Sequence, residues 1–184
     1  ESKHVHIIEI GGSFYPLWEQ VTLPRAAKEW NIDILHCTSN TAPIWCRIPL
    51  ILTLHDIIFM EPRDKSNKSF YHNMGWLYRR LVVPRILKKC RRIITVSNYE
   101  KNNIESRLGI PQEKMVMIYN GYNDWFKPIQ DLNQVYKKYI DVQGYFFFLG
   151  NTDPKKNTER TLIAYSKYLE RSNVKRKLLM ADLD

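Results

Sequence analysis

Short, unbroken apolar runs alternate along the chain with longer segments of helical periodicity. The apolar runs predict strands at Val5–Ile10, Asp33–His36, Pro49–Leu54, Arg92–Val96, Met115–Ile118, Tyr145–Leu149 and Lys177–Met180. The segments between them predict helices at Trp18–Trp30, Asn67–Cys90, Asn98–Leu108, Leu132–Tyr139 and Thr158–Arg171. Unbroken apolar strands are typical of parallel sheets that are buried on both faces. Strands that alternate with helices therefore predict an α/β doubly wound fold.

Local chemistry marks both ends of the helix predicted at Asn98–Leu108. Ser97 and Glu100 have the spacing of a capping box, in which the hydroxyl caps the helix and the carboxylate reaches back. Gly109 follows the last helical residue and suits a left-handed cap, and Pro111 prevents continuation of the helix. These signals set the boundaries of this helix better than those of the others.

The stretch from Lys127-Pro128 to Leu132 predicts a linker. It divides the chain into a Rossmann-like N-terminal domain, residues 1–128, and a second part, residues 129–184. Five predicted strands precede the linker and two follow it. Because two strands and a helix cannot form an independent core, the second part is expected to be the opening βαβ unit of a longer domain.

Composition places the chain among globular proteins, since 44% of its 184 residues are hydrophobic and 26% are charged. The longest apolar run, Ile48–Leu54, is much shorter than the roughly 20 residues of a membrane-spanning helix. Three cysteines without metal-ligand spacing favour a reducing compartment over a disulfide framework. The net charge of +9 suggests an anionic partner.

The strongest candidate for anion binding is the loop Gly150-Asn151-Thr152-Asp153-Pro154-Lys155-Lys156-Asn157-Thr158. It joins a predicted strand to a helix, and α/β folds bind ligands at the carboxyl ends of their strands. The N–H groups and dipole of a helix N-terminus suit phosphate, and Lys155 and Lys156 add charge. The loop lacks both the P-loop and the GxGxxG spacing. The alternative is an ordinary strand–helix connection with solvated lysines.

Two further loops follow predicted strands. His55-Asp56 suits a hydrogen bond to a substrate hydroxyl or to a developing charge, or else closes a turn with Asp56 as the local acceptor. The segment from His36 to Asn40 could line a sugar site or be a plain polar loop. A nucleophilic pair of Cys37 with its neighbour His36 is disfavoured, because adjacent residues do not give the usual thiolate–base geometry.

The stretch Arg79–Arg92 holds seven basic residues and no acidic one. Leu77, Leu81, Val82, Ile86 and Leu87 interleave with them as a predicted apolar face. A basic amphipathic helix suggests contact with anionic lipid headgroups or another polyanion, unless it is a core-packing helix with a solvated basic side. Pro84 is expected to kink this helix unless it lies near the start of an element.

Several strings resemble, in order and spacing, the GT-B glycosyltransferases of family 4. They are His55-Asp56, Arg91 to Ser97, Leu108-Gly109-Ile110-Pro111 with Lys114, Ile118 to Gly121, and Phe148 to Asn151 with Lys156-Asn157. The resemblance spans about Trp18 to Met180, and is greatest to bacterial members that build capsule or O-antigen polysaccharide. It implies a cytoplasmic, retaining enzyme that moves a sugar from a nucleotide-sugar donor to a glycan or lipid-linked acceptor, peripherally at the inner membrane face.

The resemblance also implies residue roles. His55 would stand near the transferred sugar, and Lys156 would contact the donor diphosphate, with Gly150 admitting the donor to the backbone. Many members carry an Arg where this chain has Asn151, so Lys155 or another group would compensate. Cleft-lining roles fall to Asp56, Ser97, Asn120 and Gly121, and membrane-facing roles to Arg79, Arg80, Lys88 and Lys89. No metal or other cofactor is expected beyond a UDP- or GDP-sugar donor.

The family's N-terminal glycine-rich loop and its paired-glutamate segment are not found in these 184 residues. The resemblance therefore implies a middle section of a longer enzyme, and we expect little transfer by this chain alone. Two rival hypotheses stay open: a polyanion- or nucleic-acid-binding module, which the charge favours, and a non-catalytic subunit that completes a partner's sheet. No nucleic-acid-binding motif is recognised, and no nucleic-acid partner is expected.

Overall fold

The computed structural model describes residues 4–12, 14–62, 70–127, 144–151 and 156–182. The chain divides into two compact units, Glu1–Tyr122 and Asn123–Asp184. Each unit contains parallel strands connected by helices, which confirms the predicted α/β, Rossmann-like class.

The first unit is built on a parallel four-stranded sheet in the order β1-β2-β3-β4. The strands are β1 Leu35–Cys37, β2 Leu50–Leu54, β3 Arg92–Thr95 and β4 Met115–Met117. In register, Cys37 lies opposite Leu52, Leu54 opposite Thr95, and Thr95 opposite Met117. All four carboxyl ends therefore lie along the same edge of the sheet.

The helices of the first unit connect or precede these strands. They are α1 Tyr15–Leu17, a π-helical segment Trp18–Thr22 that continues from it, α2 Leu23–Glu29, α3 Phe70–Lys89 and α4 Asn98–Leu108. Short 3-10 turns span Ile58–Met60 and Gln112–Lys114. The predicted start of α3 at Asn67 lies outside the described residues.

The core of the first unit is the contact between β2, β3 and α3. Val83, Ile86 and Leu87 of α3 are buried, as are Leu52 and Ile93 of the sheet. Helix α3 continues through Pro84, although an internal proline costs about 3 kcal/mol or more. Burial of a large aliphatic side chain contributes about 1.5–3 kcal/mol, so the three buried α3 side chains together outweigh the cost of Pro84.

The structure corrects the predicted strand Val5–Ile10. This segment is irregular, and Val5 and Ile7 are 65% and 84% exposed. A strand is stabilised by its ladder partners, and within the described sheet β1 pairs only with β2, so these residues have no neighbouring strand. Trp18 instead donates its indole N–H to the Ile10 carbonyl at 3.1 Å.

The ends of α4 follow the predicted cap chemistry in two of three respects. The Ser97 hydroxyl accepts the Glu100 N–H at 3.1 Å, and Gly109 adopts the left-handed conformation with φ 62°. The predicted return contact of Glu100 is wrong, because its carboxylate faces Asn103 and the backbone of Ile57. Tertiary contact with the loop after β2 thus replaces the local capping bond.

The second unit contains a strand–helix–strand arrangement: β5 Phe146–Leu149, α5 Thr158–Arg171 and β6 Leu178–Ala181, with the two strands parallel. Phe146 packs edge-on against Tyr168 of α5, with ring centroids 5.0 Å apart. Phe147 and Leu149, which alternate with Phe146, stay more than half exposed, so β5 is not buried on both faces as its apolar run predicts. The predicted helix Leu132–Tyr139 and most of the predicted linker lie outside the described residues.

Candidate functional site

The carboxyl edge of the first sheet gathers most of the predicted site residues. Thr38 to Asn40 follow β1, His55 and Asp56 follow β2, Ser97 follows β3, and Asn120 and Gly121 follow β4. Parallel α/β sheets bind ligands at this edge. The fold therefore brings sequence-distant candidates to one side of one sheet.

His55 is held by the loop that follows β1. Its backbone N–H donates to Asn40 Oδ1 at 2.7 Å, and its Nε2 lies 2.9 Å from the Thr38 carbonyl oxygen. A carbonyl only accepts, so Nε2 is the donor and a neutral His55 carries its proton there. Nδ1 is then an acceptor, and no described residue hydrogen-bonds to it.

The loop from His36 to Asn40, which the sequence suggested could line a sugar site, thus has a structural role. Thr38 and Asn40 hold His55, and the Asn40 N–H donates to the Thr53 carbonyl at 3.2 Å. Asn40 adopts φ 61°, a left-handed conformation that asparagine tolerates better than most residues. This loop connects the ends of β1 and β2.

Asp56 and Ser97 are already used in local structure. Asp56 Oδ1 accepts the Ile58 N–H at 3.1 Å and starts the 3-10 turn, which is the local-acceptor role considered from the sequence. The Ser97 hydroxyl caps α4. Asp56 therefore fixes the backbone directly after His55, and Ser97 fixes the start of α4; their cleft-lining role stays a prediction.

Asn120 and Gly121 are exposed beyond β4. A Cβ at Gly121 would meet open space, and its φ is not positive, so no described contact requires glycine there. Their predicted cleft-lining role stays a prediction.

Sequence reasoning missed a buried carboxylate next to this edge. Glu19, in the π-helical segment, is 2% exposed and accepts hydrogen bonds from the hydroxyls of Tyr15, Thr41 and Tyr78. Burial, with this carboxylate alongside, raises the pKa of Tyr15 to about 12 and also raises that of Tyr78, so both phenols stay protonated donors. The one available signal was an acidic residue inside the predicted helix Trp18–Trp30.

The second unit contains the predicted anion loop. The Gly150 N–H, directly after β5, donates to the Ala181 carbonyl at 3.0 Å. A Cβ on Gly150 would lie 2.6 Å from Phe148 Cε1 and 3.1 Å from Thr158 Oγ1, so a larger residue does not fit. Thr158 Oγ1 donates to the Asn151 carbonyl at 2.7 Å and joins the strand end to the start of α5.

Lys156 is exposed just before the N-terminus of α5. Asn157, the N-cap, has φ 56° and makes no side-chain capping bond. Within the described residues, helix α5 therefore begins with N–H groups that its N-cap side chain does not occupy, at the positive end of its dipole and close in sequence to a cation. Lys155 and residues 152–154 lie outside the described residues.

Comparison with known proteins assigns the first sheet to a protein family. The family model described as Glycosyltransferase Family 4 matches residues 5–125, which is more than half of the chain. The chain belongs to glycosyltransferase family 4. The match includes the whole carboxyl edge with His55, whereas the Gly150–Lys156 junction lies beyond the matched residues.

A relative supports the same family. An uncharacterized glycosyltransferase of Methanocaldococcus jannaschii is 27% identical over 161 residues, covering 78% of this chain and 38% of that protein. The chain thus spans less than two fifths of the length of this curated relative. Within the described residues, no helix is long and apolar enough to cross a membrane.

The four predicted membrane-facing residues of this family 4 chain divide into two groups. Arg80 and Lys88 lie on the outward side of α3, and the Arg80 guanidinium stacks over the Trp76 ring at 4.6 Å. The Arg79 guanidinium lies beside Gly75, one turn earlier in the helix. Lys89 donates to the Ile44 carbonyl at 2.7 Å. All four side chains are exposed, so the two pairs differ in their contacts and not in their exposure.

The predicted apolar face of α3 is corrected in part, since Val82, Ile86 and Leu87 are buried as predicted. Leu77 and Leu81 are half exposed, whereas Val83 is fully buried. Leu77 and Leu81 are four residues apart and Lys88 follows seven residues after Leu81, so all three share one side of the helix. The outward side of α3 therefore mixes leucines with cations.

Two of the three cysteines are poorly suited to act as nucleophiles. Cys37, Cys46 and Cys90 are free thiols. Burial raises the pKa of Cys37 to about 12 and that of Cys90 to about 11, which is the opposite of what a reactive thiolate needs. Among the described residues, no three His, Cys, Asp or Glu side chains are grouped to hold a metal ion; the expectation of a metal-free reaction stays a prediction.

Proposed function

We propose that this family 4 protein is a retaining, GT-B glycosyltransferase that moves a sugar from a UDP- or GDP-sugar to a glycan or lipid-linked acceptor in bacterial polysaccharide biosynthesis. Family membership supports sugar transfer. The observation that carries the nucleotide-sugar assignment is the start of α5, where a strand ending in Gly150 meets a helix without a side-chain cap beside Lys156.

The chemistry of that junction suits a leaving nucleoside diphosphate. The first N–H groups of α5 and the charge of Lys156 would offset the negative charge that develops on the diphosphate as the sugar departs. Packing requires glycine at position 150, because Phe148 and Thr158 already fill the space that a side chain there would need. Lys155 is proposed to compensate for the uncharged Asn151.

His55 is proposed as the group that faces the transferred sugar. Its Nδ1 would accept a hydrogen bond from a sugar hydroxyl, because Nε2 is already committed to the Thr38 carbonyl. Asp56 and Ser97 would act by shaping the backbone near it. Asn120 and Gly121 are exposed at the same edge and would line the site.

Thermal unfolding with added nucleotides tests the donor site. We expect UDP or GDP, and not CMP or ADP, to raise the Tm of the chain, since a ligand at 100 times its Kd stabilises the folded state by about 2.7 kcal/mol. Lys156→Ala should remove most of this shift. Lys167→Ala, an exposed lysine in the middle of α5, is the matched control and should keep it.

If no nucleotide raises the Tm in a Lys156-dependent manner, the donor site is wrongly assigned. Binding of RNA or DNA that weakens steeply with salt, without any nucleotide response, would instead favour the polyanion-binding hypothesis. Where transfer from a labelled sugar nucleotide is detected, the anomeric configuration of the product decides whether the reaction is retaining.

A further inference from the structure

The buried carboxylate of Glu19 is the centre of a closed hydrogen-bond network. Its Oε1 accepts from the Tyr15 hydroxyl at 2.7 Å and from Thr41 Oγ1 at 2.6 Å. Its Oε2 accepts from the Tyr78 hydroxyl at 2.5 Å, and Gln20 Nε2 lies 3.2 Å from the same oxygen. A charge buried to this extent is costly unless every lone pair is engaged. The donors come from α1, α3 and the loop after β1.

Gln20 extends the network to the backbone of that loop. Its Oε1 accepts the Ile44 N–H at 2.8 Å, and its Nε2 donates to the Ala42 carbonyl at 3.2 Å and to the Tyr78 hydroxyl at 2.7 Å. Together with the Thr41 hydroxyl, these bonds attach the loop to the π-helical segment at three residues, Thr41, Ala42 and Ile44. We call Glu19 and Gln20 the π-helix clamp.

The clamped loop is the one that holds His55. Thr38 supplies the carbonyl for the imidazole and Asn40 supplies the acceptor for the backbone N–H. The Glu19 carboxylate is thus connected to the His55 imidazole. The connection runs through the hydrogen bonds to the loop and then along three to six residues of the loop. π-helical turns inside α-helices occur frequently at functional sites, and here the turn Trp18–Thr22 carries both clamp residues.

We propose that Glu19 and Gln20 are positioning residues for His55. By fixing the loop after β1 they hold the Thr38 carbonyl against Nε2, which keeps the proton on Nε2 and presents Nδ1 as the acceptor. A catalytic effect of this positioning rests on the role proposed above for His55. The hydrogen bonds that position the imidazole do not depend on that role.

The state of the imidazole tests the proposal. With ¹⁵N-labelled histidine at about pH 8.5, where an ordinary imidazole is neutral, NMR reports which ring nitrogen carries the proton. We expect a ratio of Nε2–H to Nδ1–H tautomer for His55 several-fold above that of the urea-unfolded chain, and slow exchange of its backbone N–H. His55→Gln assigns the signals.

Gln20→Met keeps the length of the side chain and removes its polar atoms. It should bring the tautomer ratio to within about twofold of the unfolded value and speed exchange of the His55 N–H at least tenfold. Gln112→Met, at an exposed glutamine on the 3-10 turn before β4, is the matched control and should change neither. Unchanged His55 signals in a folded Gln20→Met protein would overturn the proposal.

Thr41→Val provides a second route if Gln20→Met fails to fold. It removes only the hydroxyl that reaches Glu19 from the loop and should shift the His55 tautomer in the same direction. A folded Thr41→Val protein with wild-type His55 signals would also overturn the proposal. Neither readout uses a sugar donor or an acceptor. Failure of nucleotide binding would therefore refute the donor-site assignment without affecting the π-helix clamp. Likewise, unchanged His55 signals would refute the clamp without affecting the donor-site assignment.

Discussion

Thr95 illustrates how one side chain can be buried without its polar group being satisfied. It is fully buried at the end of β3, and its hydroxyl has no hydrogen-bond partner within the described residues. An unsatisfied buried hydroxyl costs about 1–3 kcal/mol, whereas an apolar group of the same shape is neutral or stabilising there. Single residues of this kind therefore lower the free energy of unfolding of the sheet.

Thr95→Val is expected to stabilise the protein by about 1 kcal/mol, because the isosteric change removes the unsatisfied hydroxyl and keeps the packing. Chemical denaturation checks this. Thr53→Val on β2 is the matched control, since the Thr53 hydroxyl is paired with His36 Nε2 at 2.9 Å. The control should lose stability, and the explanation fails if both variants change in the same direction.

Glu100 is a second residue whose burial lowers the stability of the folded protein. Burial raises its pKa above the ordinary value of 4.5, and its Oε2 has no hydrogen-bond partner in the described chain. The folded state therefore holds this proton to higher pH than the unfolded state does. The stability that goes with the proton is present below about pH 4.5 and is lost as pH rises through the folded pKa.

Glu100→Gln should accordingly gain stability relative to the wild type as pH rises from about 4.5 towards 7, because it removes the ionisation. Denaturation midpoints at several pH values measure the difference. Glu159→Gln, in the first turn of α5, is the control for loss of an acidic group near a helix N-terminus. A pH-independent difference for Glu100→Gln would contradict the raised pKa.

At the scale of elements, α3 shows tertiary burial overriding local preference. Pro84 lies inside a 20-residue helix and removes a backbone bond, yet its neighbours Val83 and Ile86 are fully buried and hold the helix in place. The sequence predicted a helix in this region and a kink at Pro84. Whether the helix could continue depended on the sheet beneath it.

Pro84→Ala is expected to stabilise the protein by about 1–2 kcal/mol, since the restored backbone bond outweighs the added entropy of the unfolded chain. The free energy of unfolding in urea checks the sign. Pro16→Ala is the matched control, because Pro16 lies in the first turn of α1, directly after an extended stretch of backbone, where proline is tolerated. No gain for Pro84→Ala would mean that the helix does not form the missing bond.

At the scale of the whole molecule, the net charge of +9 and the outward side of α3 point to the same partner. Exposed leucines among Arg80 and Lys88 suit the interface of an anionic membrane, where apolar insertion and charge act together. The proposed lipid-linked acceptor would itself lie in such a membrane. We therefore expect membrane contact through this side of α3.

Vesicle co-sedimentation tests this contact. The protein should bind vesicles containing phosphatidylserine more than neutral phosphatidylcholine vesicles, with binding that weakens as salt increases. The double variant Arg80→Glu and Lys88→Glu should reduce binding at least tenfold. Arg171→Glu and Lys175→Glu change the charge equally in the second unit and serve as control. Equal loss in both double variants would attribute binding to net charge alone.

Sequence reasoning located most of the strands and helices because their causes are local. Apolar runs placed six strands to within two residues, and the Ser97 and Gly109 caps placed both ends of α4. It also placed His55 and Lys156 after strand ends, since strand order dictates where loops fall. It failed for Val5–Ile10 and for the return contact of Glu100, where a partner elsewhere in the chain decides the outcome.

By itself, the sequence of this family 4 chain determined the alternation of elements, the parallel sheet and the position of its loops. Periodicity and capping are set by neighbouring residues, so they can be read along the chain. The tertiary structure alone decided that Glu19 is buried, that Gln20 clamps the loop after β1, and that His55 presents Nδ1. Those facts depend on α1, the π-helical turn, α3 and two strand ends meeting in space, and no local pattern encodes such a meeting.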